Sequence, residues 1–436
     1  MTVLGISKAA VYVPHYRLAP DTAAALDVGA GISLAGPDED AATMLWEVLD
    51  RLTELSEPAD LLVRLPLSES EPRRAMALVS ATGVASPRSC LHLAATAAST
   101  DVLAAMATAP GGALAVVVDR NGQSDPLGRP TSELACALVV GEPLVAKVES
   151  VVSSYELTFD RWDFADGGTE QDRRFIEETL VARTGSTLLA AALEQAAMTG
   201  DDIHGVVVTC GTSLRAARLC SQWKVEHAWP VLSQISGDGA TAALVQALKQ
   251  LAEAGPGSSV AIVDLGWGGG ASVLMAGPNI RDVDLQFDSG SPQGYGLRAW
   301  IAARGNQATP GPWTSPSELV REGPDLLGPV GGRCQRCGST MFPRAGVCEA
   351  CGSSEVQPQP LARLGTVMTH SVDELYAAPA PIQMVLVELD GGGRFYGQAT
   401  RDTEPWFAVG DRARLVLRRL HTGMGLPHYY WKVDHA

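Results

Sequence analysis

AATAASTDVLAAMATAPGGALAVVVD (residues 94–119) and GATAALVQALKQLAEAGPGSSVAIVD (residues 239–264) follow the same order of features. Each contains Thr-Ala-Ala near its start, continues as an Ala-rich helical pattern, breaks at a Pro-Gly pair and ends in an apolar strand closed by aspartate. The interval from Thr96 to Asp119 and the interval from Thr241 to Asp264 are both 23 positions. This matched order predicts a duplication, with two related halves around a pseudo-twofold axis and two helix N-termini meeting near its centre.

Apolar strands alternate with helical patterns on both sides of these two copies. Strand-like runs occupy residues 11–13, 61–65, 113–119, 136–140, 205–210 and 260–265, and helical patterns occupy residues 40–52 and 183–197. Short strands that are apolar on both faces need helices to cover them, so the pattern predicts a layered α/β domain. We expect this domain to span residues 1–276, with related halves at about 1–150 and 151–276.

The last third of the chain has a different pattern. Residues 277–332 are rich in Pro and Gly, which predicts a partly extended linker, interrupted by one short helix beginning at Leu297. Residues 357–436 contain five short strand patterns separated by turns such as DGGG (residues 390–393). Five short strands of this length predict a small β-barrel of the OB-fold kind.

Four of the eight cysteines lie close together in CQRCGSTMFPRAGVCEACG (residues 334–352). The stretch holds two Cys-x-x-Cys pairs, each followed by glycine, which lets the backbone turn so that both sulfurs face one point. Four thiolates at this spacing suit tetrahedral zinc and leave no open position for water, so the ion is structural. The sequence therefore predicts a zinc ribbon at residues 333–356, with ligands Cys334, Cys337, Cys348 and Cys351.

The composition narrows the possible partners. The net charge of −16 disfavours general nucleic-acid binding, so a nucleic-acid-binding ribbon and barrel is the weaker alternative. The N-terminus lacks the apolar core of a signal peptide, and no apolar run reaches the length that spans a bilayer. We therefore expect a cytoplasmic protein without a membrane partner, whose remaining cysteines are reduced.

Several stretches resemble known families. GISKAAVYVPHYRL (residues 5–18), SGDGATAAL (residues 236–244) and VDLGWGGGAS (residues 263–272) resemble the thiolase superfamily, closest to hydroxymethylglutaryl-CoA synthase and the ketoacyl synthase III enzymes. The two CxxCG knuckles, FPR (residues 342–344) and GTV (residues 365–367) resemble the zinc-ribbon and OB-fold domain that accompanies acyl-CoA proteins, known as domain of unknown function 35. The resemblance implies α/β/α/β/α layers, then a rubredoxin-like ribbon and an OB-fold barrel.

The thiolase superfamily takes an acyl group from CoA onto a cysteine at a helix N-terminus, where the macrodipole favours a thiolate. The family cysteine precedes a threonine by four residues, and alignment on Thr96 puts His92 at its position. The family histidine corresponds to Thr209, with Cys210 beside it, and the family asparagine corresponds to Asp238. All three positions depart from the family pattern, so the resemblance implies that the usual nucleophile is lost.

Cys90, His92 and three glycines are further candidate site residues. In an extended strand Cys90 and His92 face the same side, so Cys90 is a candidate displaced nucleophile and His92 a candidate general base. The alternatives are a small buried hydrophobe and a satisfied core histidine. Gly268, Gly269 and Gly270 follow a strand and are candidates for lining a pantetheine channel, although glycines at strand ends are common in any fold.

The resemblance implies an acyl-CoA-handling protein of lipid metabolism, with a CoA thioester as ligand or substrate. Its chemistry would be that of a hydroxymethylglutaryl-CoA synthase-like acyltransferase or an aldolase-type lyase, acting with a partner thiolase in carbon–carbon bond formation or cleavage. The alternative is a non-catalytic scaffold that passes thioesters between sites. We also expect a homodimer through the thiolase-like domain.

Overall fold

The structure is a computed structural model. It describes residues 4–25, 31–52, 60–65, 77, 80, 89–94, 97–109, 112–120, 132–142, 144–154, 161–164, 167–170, 182–209, 239–265, 269–285, 294–295, 317, 328–373, 381–400, 406–423 and 426–436. The chain divides into two compact units, the first comprising Met1–Met76 and Val84–Asn306, and the second Ala77–Gly83 and Gln307–Ala436.

The first unit contains fourteen of the described strands and five α-helices. The strands are β1 Leu4–Tyr12, β2 Tyr16–Leu18, β3 Ser33–Leu34, β4 Asp60–Arg64, β5 Ser89–Leu93, β6 Ala113–Asp119, β7 Leu134–Val140, β8 Ala146–Ser154, β9 Arg161–Phe164, β10 Gly167–Glu170, β11 Gly205–Thr209, β12 Ser259–Leu265, β13 Gly269–Ala276 and β14 Gly294–Tyr295. The helices are α1 Pro20–Ala25, α2 Ala41–Arg51, α3 Ser99–Thr108, α4 Ala182–Gln195 and α5 Ala240–Ala254.

The nine-stranded sheet of this unit is built from two matching halves. Its order is β5-β4-β6-β7-β1 in the first half and β8-β13-β12-β11 in the second, with β1 and β8 joined antiparallel. In the first half β4 runs parallel to β6, which pairs antiparallel with β7. In the second half β11 runs parallel to β12, which pairs antiparallel with β13. The predicted duplication is therefore present in the strand order.

The helices complete five layers. Helix α2 packs on β1, β6 and β7, and α4 packs on β8, β12 and β13. Helices α3 and α5 contact each other and strands of both halves, so they form the middle layer. Eleven residues of α5 are buried, as expected for a helix that is covered on all sides. The predicted α/β/α/β/α layering is confirmed.

Part of the predicted linker belongs to the first unit. The backbone N–H of Val11 donates to the Asp284 carbonyl at 3.0 Å, and β14 pairs in parallel with β2. These backbone bonds attach Asp284 and residues 294–295 to strands near the N-terminus of the chain. The predicted helix beginning at Leu297 lies outside the described residues.

The second unit contains the ribbon and the barrel. The ribbon strands are β15 Val330–Cys334, β16 Thr340–Met341 and β17 Val356–Pro360. The barrel strands are β18 Leu364–Asp373, β19 Ile382–Leu389, β20 Arg394–Gln398, β21 Arg412–Gly423 and β22 Leu426–His435, in the order β20-β19-β18-β21-β22. A parallel bridge from Ala399 to Val433 joins the end of β20 to β22, and Phe395 and Trp431 are buried inside. This is the predicted small OB-like barrel.

None of the helices in the described ranges combines the length and the apolar character needed to cross a membrane.

Candidate functional site

Three hydroxyl or amide groups converge on the carboxylate of Asp264, the next-to-last residue of β12. The Ser99 hydroxyl and the Thr100 backbone N–H donate to Oδ2 at 2.6 and 3.0 Å, and the Thr209 hydroxyl donates to Oδ1 at 2.9 Å. Asp264 is 2% exposed. The first turn of α3 in the first half is therefore capped by a carboxylate from the second half.

The reverse arrangement occurs at α5. The Thr241 backbone N–H donates to Asp119 Oδ2 at 2.9 Å, so the first half caps the helix of the second. Arg64, at the end of β4, forms an ion pair with the other oxygen of Asp119, and its Nε donates to the Ala97 carbonyl at 2.7 Å. We call this pair of caps the reciprocal junction; it comprises Asp264 and Asp119 with the groups that they bind.

The reciprocal junction sets the register of the repeat. Thr100 and Thr241 hold equivalent positions, because the N–H of each binds the aspartate of the other half. The expected equivalence of Thr96 with Thr241 is therefore wrong by four residues. The interval from the helix threonine to the aspartate is 19 positions in the first half and 23 in the second. Helix α5, with 15 residues, is five longer than α3, with 10, and the aspartate comes one residue earlier in β12 than in β6.

This register also affects the position compared with the family cysteine. His92 was compared with the family cysteine because it lies four residues before Thr96. If Thr100 is the equivalent threonine, the position four residues before it is 96. Thr96 itself lies outside the described residues, as do Cys210 and Asp238. The catalytic role of His92 stays a prediction.

Burial dominates the electrostatics of Asp264. Removal from water raises the pKa of its carboxyl above the usual value, and the hydrogen bonds from Ser99, Thr100 and Thr209 offset part of this effect. The positive end of the α3 macrodipole faces this group. The position that would favour a thiolate or an oxyanion is thus occupied by a carboxyl group of the protein itself.

Close packing explains two glycines of the junction. A Cβ on Gly239 would lie 1.8 Å from Asp119 Oδ2, and a Cβ on Gly270 would lie 2.1 Å from Thr100 Oγ1. Gly269 faces Leu188 in the same way, with its Cβ position 2.6 Å from Leu188 Cδ1. The contacts of Gly269 and Gly270 are therefore with side chains of the first unit, which supplies a structural reason for both glycines. Gly268 lies outside the described residues.

Cys90 and His92 lie together on β5. Cys90 Sγ and His92 Nε2 are 3.5 Å apart, and both side chains are exposed. Helix α3 begins at Ser99, so neither residue is part of its first turn. Although Cys90 is exposed, partial removal of its sulfur from water raises the pKa of the thiol, which lowers the thiolate fraction at neutral pH. The structure therefore brings these two residues together on a strand, whereas Thr209 is part of the reciprocal junction.

The four ribbon cysteines form the second site. Their Sγ atoms all lie within 4.8 Å of one another, and the distances Cys334–Cys351 and Cys337–Cys348 are both 3.6 Å between sulfurs. Such spacing fits four ligands of one tetrahedral zinc ion. The structure brings the four predicted ligands together as the cysteine cluster of a zinc ribbon, which supports the predicted structural zinc.

The two knuckles have the same backbone geometry. The N–H of Gly338 donates to the Cys334 carbonyl and the N–H of Gly352 donates to the Cys348 carbonyl, both at 2.9 Å. Both glycines have positive φ, +75° and +69°, which other residues rarely adopt. Hydrogen bonds from the backbone N–H groups of Cys337 and Arg336 lower the pKa of the Cys334 thiol, which favours a thiolate at this ligand, whereas contacts with the other thiols raise the pKa of Cys351.

Sequence reasoning did not identify Asp264, Asp119 and Arg64 as a site. The visible signal was the aspartate that closes the strand in each copy of the repeat. Its partner could not be deduced, because each aspartate binds a helix of the other half.

Comparisons with known proteins agree with this architecture. Residues 330–357 match the family described as ChsH2, rubredoxin-like zinc ribbon domain. The chain is similar to a solved structure of hydroxymethylglutaryl-CoA synthase in complex with CoA, at 13% identity over 66% of this chain and 86% of that one, with a TM-score of 0.54. No curated protein matches the sequence.

Two further solved structures have a TM-score of 0.50. One is 3-oxoacyl-[acyl-carrier-protein] synthase III from Aquifex aeolicus, at 15% identity over 62% of this chain and 99% of that one. The other is AbyA1, a tetronic acid condensing enzyme, at 15% identity over 62% of this chain and 100% of that one. At these identities the likeness concerns the fold: the first unit is thiolase-like.

Proposed function

We propose that this chain binds acyl-CoA thioesters through its thiolase-like unit and acts with a partner thiolase in carbon–carbon bond formation or cleavage. Its own part in that chemistry is non-covalent, because the acyl-accepting nucleophile has been lost. One observation carries the proposal: the Thr100 N–H at the start of α3 is bound by the Asp264 carboxyl. The Asp264 carboxyl thereby occupies the N–H that would otherwise stabilise a thiolate or a developing oxyanion at this helix start.

The ligand class is supported by the proteins that share the fold. One of them is a hydroxymethylglutaryl-CoA synthase with CoA bound, and another is a 3-oxoacyl-[acyl-carrier-protein] synthase. These two proteins connect the fold with CoA and with an acyl carrier protein, although fold alone does not assign an activity. The zinc ribbon supports a cytoplasmic location, because zinc–thiolate sites suit a reducing compartment.

Two roles remain compatible with a missing nucleophile. An aldolase-type lyase needs a general base and donors for an oxyanion, and His92 and Thr209 are its candidates in this chain. A scaffold needs only to hold the thioester and the partner. The hydrogen bonds of Asp264 favour the scaffold. Ser99, Thr100 and Thr209 each donate to its carboxyl, so these donors are not available to an oxyanion.

The first test is covalent labelling. The full chain and a Cys90→Ala variant are incubated with acetyl-CoA and longer acyl-CoAs, and intact masses are measured. We expect no acyl adduct on either protein and measurable binding of the CoA ester by calorimetry. A stable adduct that disappears in Cys90→Ala would refute the loss of the nucleophile.

The second test concerns the partner. The tagged chain is recovered from its native extract, and the co-purifying proteins are identified by mass spectrometry. We expect a thiolase-family enzyme, and its activity on CoA thioesters should change when this chain is added back. Absence of any thiolase, together with turnover by the isolated chain, would replace the partner proposal with an independent lyase.

A further inference from the structure

Strand β5 is an uncovered edge of the nine-stranded sheet. Within the described part of the chain it pairs with β4 alone, and four of its five residues are exposed. The strand at the other end of this sheet, β11, is buried at every residue. An uncovered edge presents unpaired N–H and C=O groups that can accept another strand.

The residues of β5 do not protect this edge. Free edge strands usually carry Lys, other charged side chains or Pro, which prevent pairing with a second chain. The five residues SCLHL (89–93) include no Lys, Arg, Asp, Glu or Pro, and Leu91 is 53% exposed. This composition fits an edge that is covered by another strand in the assembled protein.

The Cys90–His92 pair has the spacing of two ligands on one metal ion. Bond lengths of about 2.3 Å for Zn–S and about 2.0 Å for Zn–N, at a tetrahedral angle, place the two ligand atoms about 3.5 Å apart. Cys90 Sγ and His92 Nε2 are 3.5 Å apart. The sulfur pairs of the ribbon, at 3.6 Å, show the corresponding spacing at a complete site.

A second copy of β5 would supply the two missing ligands. In an antiparallel pair centred on Leu91, Cys90 of one copy lies opposite His92 of the other, with Cα atoms about 4.5–5.5 Å apart. Residues two apart share a face, so all four side chains project on the same side of the joined sheets. The two Leu91 side chains meet on the opposite face and cover each other.

We propose that Cys90 and His92 form half of a zinc site, which the same two residues of a second copy complete across a twofold pairing of the β5 edges. The site has two thiolates and two neutral imidazoles, a closed tetrahedral set. On binding, each Cys90 thiol releases its proton to solvent, and the zinc bonds replace the Sγ–Nε2 contact. The ion is structural and joins the two subunits.

The proposal predicts an unusual stoichiometry. The full-length chain is loaded with zinc and freed of loosely bound metal by gel filtration, and zinc is measured with molecular mass by light scattering. We expect a dimer holding about 1.5 zinc ions per chain: one in each ribbon and one shared. Cys90→Ala and His92→Ala should each lower the value to about 1.0 and keep the ribbon metal.

Leu91→Arg tests the second copy separately. This variant keeps both ligands but places like charges at the twofold axis, so we expect a monomer with about 1.0 zinc per chain. Leu420→Arg is the matched control, because Leu420 is an exposed leucine of the second unit, 36% accessible. It should keep the dimer and the shared zinc.

Cobalt substitution gives a second readout. The spectrum of the cobalt-loaded wild type minus that of Cys90→Ala should be that of a tetrahedral site with two sulfur and two nitrogen ligands, distinct from the four-sulfur ribbon. Three results would each overturn the proposal: about 1.0 zinc per wild-type chain, extra zinc that persists in Cys90→Ala, or a full extra zinc on a monomer.

Discussion

The Thr100 N–H lies 3.0 Å from the carboxylate of Asp264, although 164 positions separate the two residues in the sequence. The Thr241 N–H binds Asp119 in the same way across 122 positions. Each central helix of the thiolase-like unit is therefore capped by the opposite half. This exchange couples the two halves of the unit, and it motivates the first three predictions.

Replacing Asp264 by alanine should destabilise the centre of the first unit. The change leaves three donors unpaired, and each buried unpaired donor costs about 1–3 kcal/mol. We expect a loss of about 2–4 kcal/mol in the free energy of local opening of α3 and β12, measured by native-state hydrogen exchange. Asp282→Ala, at an exposed carboxylate of the same unit, should have no such effect; equal losses in both variants would contradict the prediction.

The stability of the same region should depend on pH through Asp264. Burial raises the pKa of this carboxyl in the folded protein above its unfolded value of about 3.9. The stabilisation that the protonated Asp264 carboxyl gives the folded state is therefore fully present below the unfolded pKa. It is lost as the pH rises through the folded pKa. Hydrogen exchange of α3, corrected for intrinsic rates, should show this decline in the wild type, and Asp264→Asn should abolish it. An identical decline in Asp264→Asn would assign it to another group.

A methyl group at position 239 should disrupt the cap of α5. The Cβ of Gly239→Ala would meet the Asp119 carboxylate at 1.8 Å, so the aspartate must leave the Thr241 N–H. Overpacking of this kind costs about 1–3 kcal/mol, which thermal unfolding or hydrogen exchange of α5 would detect. Gly200→Ala is the control, because nothing lies within 4 Å of its Cβ position. Unchanged exchange in α5 of Gly239→Ala would argue against this packing.

Removal of zinc should unfold the ribbon locally. A strong chelator, or Cys348→Ser, takes away the bonds that hold two short knuckles together, and a segment of this size has little core of its own. The amides of Gly338 and Gly352 should then exchange rapidly, because their hydrogen bonds to Cys334 and Cys348 depend on the knuckle geometry. Retained protection of both amides after chelation, with zinc loss verified by atomic emission, would show that the fold does not require the metal.

The ribbon and the barrel could be predicted because their signals are local. The four ligands lie within 18 positions, and a Cys-x-x-Cys-Gly segment already favours the required turn. The five barrel strands were predicted from apolar runs between glycine-containing turns, and all five are present. Helix α2 was predicted from residue 40 onward, and Asp40 is its N-cap, bound to the Thr43 N–H.

The sequence by itself determined the duplication, the alternation of strands and helices, the ribbon ligands and the barrel, since each depends on spacing within a short segment. The tertiary structure decided the register of the repeat, the partners of Asp264 and Asp119, and the exposure of β5. The spacing of a repeat does not show whether extra residues lie within a helix or before it. Thr96 and Thr100 were therefore equally good matches to Thr241 in the sequence, and the packing of α3 against Asp264 identified Thr100. Hydrogen bonds between residues more than 100 positions apart depend on which surfaces the layers bring together, and no local pattern records that.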